Sequence, residues 1–161
     1  MSASTDIARA WIRPRAVARG RLARSSERVA FVYLIVFCLL AFVAQWPRLS
    51  REAFLTEAEL QPLLGGALMG WIFVAPLLLY GLAALSHLAA RAFGGQGSWL
   101  SARVALFWSL LALSPVMLLH GLTAGFIGPG PALNAVGVVV VAGFAWLWGN
   151  ALSVAESGAA A

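Results

Sequence analysis

GGALMGWIFVAPLLLYGLAALSHLAARAFGGQGSWLSARVALFWSLLALSPVMLLHGLTAGFIG, residues 65–128, decides the fold. Apolar residues dominate on both sides of a short break, Gly94-Gly95-Gln96-Gly97-Ser98-Trp99, and an arginine stands at each edge of it, Arg91 and Arg103. A helix needs ~20 mostly apolar residues to cross ~30 Å of hydrocarbon. Lipid satisfies no backbone N–H or C=O, so an apolar run of this length must close its hydrogen bonds within itself, as a helix. The stretch reads as a transmembrane helical hairpin.

Two further apolar segments flank it, at residues 29–45 and 132–152, and the hairpin itself supplies spans at 66–90 and 101–123. With 61% hydrophobic and 11% charged residues in 161, the chain is too apolar for one soluble domain and suits a single membrane bundle. The net charge of +5 comes from eleven arginines and no lysine. Seven of those arginines, Arg9, Arg13, Arg15, Arg19, Arg21, Arg24 and Arg28, precede the first span. No basic surface continues beyond them, which points to a membrane surface and away from nucleic acid. The Arg, Ala and Gly bias suggests a GC-rich bacterial genome. The one cysteine, Cys38, excludes an intrachain disulfide.

On a helix, Ile7, Trp11, Val17, Ala18 and Leu22 gather on one side with arginines around them, the pattern of a segment lying in a headgroup layer. Trp11, Arg13, Arg15, Arg19, Arg21 and Arg24 are its candidate headgroup contacts, and Pro14 must bend or interrupt it. The plainer alternative is a basic tail that only orients the first span. A cleaved signal peptide fits poorly, because the basic region is too long and Phe42 with Ala44 does not make a small-x-small cleavage site. Trp46-Pro47 closes the first span, and a polar connection follows to residue 64. Within it Thr56-x-x-Glu59 has the form of a capping box opening a helix. Glu52, Glu57 and Glu59 have no histidine or cysteine nearby and read as a solvated loop.

Arginine sets the expected orientation. Seven precede the first span and two flank the Gly94–Trp99 turn, whereas residues 125–134 carry none. The positive-inside rule then puts both termini and that turn in the cytoplasm. The expectation is an all-α bundle of four transmembrane helices, N-in and C-in, in the cytoplasmic membrane of a bacterium. It comprises a basic interfacial segment at 1–28, the spans within 29–152 and a short tail at 153–161.

Four features of this core invite a functional reading. Gly66-x-x-x-Gly70 and Gly121-x-x-x-Gly125 are small-xxx-small patterns that let helices approach closely in lipid, within one molecule or across a dimer. Pro76 and Pro115 fall near the bilayer midplane and free the carbonyls of Ile72 and Leu111, which a neighbour, Ser114 or water must satisfy. Paired breaks can mark a transport site, but no ionisable residue lies at that depth, and helix kinks are the simpler reading. His87 lies near the cytoplasmic end of its span, while His120 follows Arg103 by ~25 Å of helix, so they cannot share a haem. Each reads as an interhelical or interfacial hydrogen-bonding group. The last feature is the turn itself, with Gly94, Gly95, Gly97 and Trp99. Nothing here suggests a metal, a cofactor or a catalytic group.

Pro62-Leu63-Leu64-Gly65-Gly66, Leu85-Ser86-His87-Leu88, the Gly94–Trp99 turn, Ala102-Arg103 and Leu110-Leu111-Ala112-Leu113-Ser114-Pro115 together resemble the small bacterial members of the Yip family, the Ypt/Rab-interacting membrane proteins. The resemblance covers residues 62–152. It implies a polytopic helical membrane domain without catalysis, whose eukaryotic relatives act in vesicle trafficking and membrane shaping and bind prenylated small GTPases. Family members usually have five spans where this chain offers four, and the Asp-Leu-Tyr-Gly-Pro-type motif of the eukaryotic proteins is absent. GTPase binding therefore attaches to no residue. The expected function is a non-enzymatic membrane-organising, scaffold or trafficking-like role. Its expected partners are the bilayer, anionic phospholipid, and other membrane proteins or itself. The alternatives are an accessory subunit of an energy-transducing or secretion complex and, third, a small transporter or channel.

Overall fold

The computed structural model describes residues 3–157, and every regular element among them is helical. Two short helices come first, α1 (Ala3–Ile12) and α2 (Pro14–Leu22). Pro14 is the first residue of α2, where its missing N–H costs nothing and its fixed φ suits the helix. Then follow α3 (Glu27–Thr56), α4 (Leu60–Met69), a π-helical turn (Gly70–Val74), α5 (Ala75–Ala92), α6 (Trp99–Phe126) and α7 (Pro131–Glu156). Four helical segments, α3, α4 through α5, α6 and α7, are long and apolar enough to cross a membrane.

The helix α3 is longer than the sequence suggests. The break expected at Trp46-Pro47 does not occur, and the helix runs on to Thr56 with Pro47 inside it. An internal proline costs ~3 kcal/mol. Several contacts offset it: Leu49 and Ala53 are buried, Arg48 pairs with Glu52 one turn on, and Arg51 Nη1 donates to Gly125 O of α6 at 3.3 Å. Thr56 consequently ends a helix and does not open one. Its hydroxyl donates back to Glu52 O at 2.8 Å, and Glu57 turns the chain with φ of 53°.

The two midspan prolines are accommodated differently. Ahead of Pro76 the helix widens into the π turn, in which Ala75 N–H reaches Gly70 O, one residue further back than in an α-helix. That widening draws backbone away from the proline ring. At Pro115 the α-helix persists, and Ser114 Oγ donates to Leu111 O at 2.8 Å, so the carbonyl freed by the ring is satisfied by the serine beside it.

The bundle is arranged around α6. From Ser101 to Ser114 only Arg103 escapes burial, the state of a helix surrounded on all sides. It packs most extensively on α3, next on α7, and less on α5. Tyr80 meets Phe107 edge-on at 5.1 Å, and Tyr33 meets Trp108 at 5.3 Å.

Close helix approach occurs, though not between the two glycine pairs. A Cβ at Gly121 would sit 1.9 Å from Ala44 O, and one at Gly125 would sit 2.3 Å from Pro47 Cβ. The partner of these glycines is therefore α3. Gly66 and Gly70, the other small-xxx-small pair, have no neighbouring atom within 4 Å of where a Cβ would stand. Pairing is decided by the opposing surface, and the small Ala44 backbone with the proline ring at 47 supplies a shallow one.

Candidate functional site

Two polar constructions stand out in an otherwise apolar molecule, one at the Gly94–Trp99 turn and one on the face of α6 and α7 between that turn and the middle of those helices. The first is that turn. Glu156, the last residue of α7, is 9% exposed and His87 of α5 is 1% exposed. Glu156 Oε1 lies 2.8 Å from His87 Nδ1, and Oε2 accepts the Gly97 N–H at 3.1 Å. The main chain joins in, with Gln96 N–H donating to Glu156 O at 2.9 Å and Ser101 Oγ donating to Ala155 O at 3.3 Å. The last carbonyls of a helix have no partner within it, and here the turn supplies donors for them. Gly95 and Gly97 are required by proximity, since a Cβ on either would stand 2.8 Å from Glu156 Oε2. Gly94 is required by its φ of +90°. Ser98 caps α6 reciprocally with Ser101, and the Trp99 ring packs on His87 at 4.6 Å. His87 is thus an interhelical hydrogen-bonding group whose partner, Glu156, was hidden in a stretch read as tail. A lone acid at the end of an apolar run, at the same depth as a histidine and a glycine turn, was the available signal.

The second construction is the N-terminal pair. The helices α1 and α2 form a V with its apex at Arg13-Pro14, laid against α6 and α7. Ala10, Ala18 and Leu22 are buried beneath it. Trp11, expected among headgroups, is instead an anchor: its Nε1–H donates to Ala112 O at 3.2 Å, and its ring occupies the space over Gly143, where a Cβ would come within 2.5 Å. Arg21 is likewise held from within. It bonds Asp6 Oδ2 at 2.5 Å and Tyr33 Oη at 3.1 Å, and its guanidinium lies 4.3 Å from the Trp108 ring centre. Arg15 Nε donates to Asn150 Oδ1 at 3.0 Å. Arg13, Arg19 and Arg24 are exposed, as are Arg9, Arg15 and Arg28.

Between the arms of the V and the start of α3 lies a half-open cleft of about 970 Å³. Four arginines line it, Arg9, Arg13, Arg21 and Arg24, against one acid, Asp6. A smaller groove of about 370 Å³, wholly apolar, lies between Trp71, Leu79, Met117 and Phe144 near the two prolines. Among the described residues no group of three or more His, Cys, Asp or Glu could hold a metal ion.

Comparison with family models, with curated proteins and with solved structures found no match to this chain.

Proposed function

We propose that the protein is a non-enzymatic, multi-pass membrane-organising component, of the scaffold or trafficking-like kind, whose N-terminal helices bind anionic lipid. The observation that carries this reading is the mounting of the arginines. Six exposed guanidinium groups ride on or beside two helices fixed to the bundle by Trp11, Arg21 and Arg15. A tail that only oriented the first span would need no such seat. Each arginine near an anionic surface contributes ~1 kcal/mol of attraction. On the positive-inside argument this face, both termini and the Gly94–Trp99 turn are cytoplasmic, in the inner membrane of a bacterium, and the resemblance to the Yip family fits the same assignment.

The test is gentle-detergent extraction of the tagged protein from native membranes, followed by native mass spectrometry. Recovery of the chain alone or with copies of itself, carrying anionic phospholipid, is the expected result. Other membrane proteins at fixed stoichiometry would replace this reading with that of an accessory subunit. That second reading draws on the exposed apolar faces of the α4–α5 segment and α7, where Phe73, Leu77, Val138 and Val141 stand clear of the bundle. Reporter fusions at each terminus test orientation, with both expected on the cytoplasmic side.

A further inference from the structure

We propose that the cleft between α1, α2 and the start of α3 holds the phosphodiester headgroup of a single anionic phospholipid, one per chain. The inference rests on the lipid-binding reading above and sharpens it from a diffuse charged face to a bounded site. Its size, about 970 Å³, is on the scale of a small-molecule pocket and far exceeds that of a lone ion. Its charge is matched to a phosphate: four arginines against one aspartate leave three positive charges around the cavity. Arginine presents a planar fork suited to phosphate oxygens. One of the four, Arg21, is already oriented by Asp6, Tyr33 and the Trp108 face, so part of the ordering cost is met before a ligand arrives.

Depth argues for a lipid over a soluble anion. Trp11 bonds Ala112, thirteen residues along α6 from Trp99, which is ~20 Å at ~1.5 Å per residue. With 28 residues, α6 is ~42 Å long and overhangs ~30 Å of hydrocarbon by only ~12 Å. Arg15, just past the apex, reaches Asn150, six residues or ~9 Å along α7 from Glu156 at the turn end, so the V spans the depth at which headgroups give way to acyl chains. Apolar residues border the arginines of the cleft, among them Val17, Val29 and Ile12, the last 80% exposed, so an acyl chain leaving the cleft would meet an apolar surface.

The experiment uses the full-length protein in detergent, supplied with equal phosphatidylglycerol and phosphatidylethanolamine and examined by native mass spectrometry under increasing collision energy. One phosphatidylglycerol per chain is expected to survive longest. The variant R13E/R24E, which alters two lining residues with no bond to the bundle, is expected to lose that preference by about tenfold or more. The variant R19E/R28E makes the same change of charge on exposed positions outside the cleft; it is expected to weaken the overall attraction to anionic membrane but to retain the preference for one phosphatidylglycerol per chain. Melting temperature is followed for both, so that unfolding is not mistaken for lost binding. Equal loss in the two variants would overturn the bounded site and leave a diffuse lipid grip standing. Retention in both would overturn the site and the lipid-binding reading together. Displacement of the retained lipid by millimolar inorganic phosphate would also overturn the proposal, assigning the cleft to a soluble anion.

Discussion

At the scale of single residues, three of the buried polar side chains, His87, Ser101 and Glu156, meet at one junction. The Glu156 carboxylate accepts from Gly97 and bonds His87, so α5 and the turn each lose a partner if it is removed. A buried donor or acceptor left unpaired costs ~1–3 kcal/mol. Glu156→Leu is therefore expected to lower the thermal stability of the detergent-solubilised protein by at least that much. Glu156→Gln, whose amide can still accept from Gly97 and donate to the histidine ring, should lose distinctly less. Negligible losses in both variants would show that the junction is held by the bonds that Gln96 N–H and Ser101 Oγ donate to the α7 carbonyls. Gly97→Ala probes the same place sterically. Its Cβ would stand 2.4 Å from Ala155 O, a backbone atom that cannot swing aside. Such overpacking costs ~1–3 kcal/mol, measurable as a lower melting temperature, whereas Gly149→Ala on α7, with open space around it, should leave the temperature unchanged or raise it.

At the scale of elements, the two glycine pairs separate cleanly. Gly121→Ile on α6 would drive a branched side chain into Ala44 O of α3, and is expected to destabilise the bundle by ~2–3 kcal/mol or to prevent its assembly. Gly66→Ile on α4 meets nothing, and its thermal stability in detergent should stay within ~0.5 kcal/mol of the parent. A large loss at Gly66 would mean that this face is covered in solution, for instance by a second copy. The contrast also shows what the sequence could carry. Apolar length alone placed four membrane-capable helices, and the serine beside Pro115 was a local clue that the structure bears out. Which surface lies opposite a small-residue stripe is a property of two distant segments, and the motif names only one of them. For the same reason Pro47 misled. Its ~3 kcal/mol penalty is visible locally, while the burial of Leu49 and Ala53 and the Arg51 bond to α6 that offset it are not. Trp11 belongs to this class too, because an aromatic residue among arginines suits an interface equally well whether it faces lipid or a glycine on a neighbouring helix.

At the scale of the molecule, α6 is the common wall against which the other elements are set, so damage to its seam with α3 should be felt throughout. Cys38 offers a way to read this. It is the only cysteine in the chain, it lies on α3, and it is 0% exposed within the cluster that contains Leu34, Ala41, Phe107 and Leu110. A maleimide can reach it only when the bundle opens, because fluctuations of a single loop leave a core helix face covered. Labelling of the protein in mild detergent is thus expected to be slow and to accelerate steeply on heating, in step with loss of tertiary structure. Gly121→Ile should raise the labelling rate by tenfold or more if it costs ~2 kcal/mol, since each ~1.4 kcal/mol is a factor of ten in the open population. Gly66→Ile should leave the rate unchanged. Trp11→Ala separates the N-terminal V from the bundle. If the V is an appendage seated on a core that is stable without it, an arginine-specific protease should cut between Arg13 and Arg24 faster in that variant while Cys38 stays protected. If Cys38 labels faster as well, the V is part of the core: the tryptophan that fills the gap between α6 and α7 over Gly143 would then be holding those two spans together.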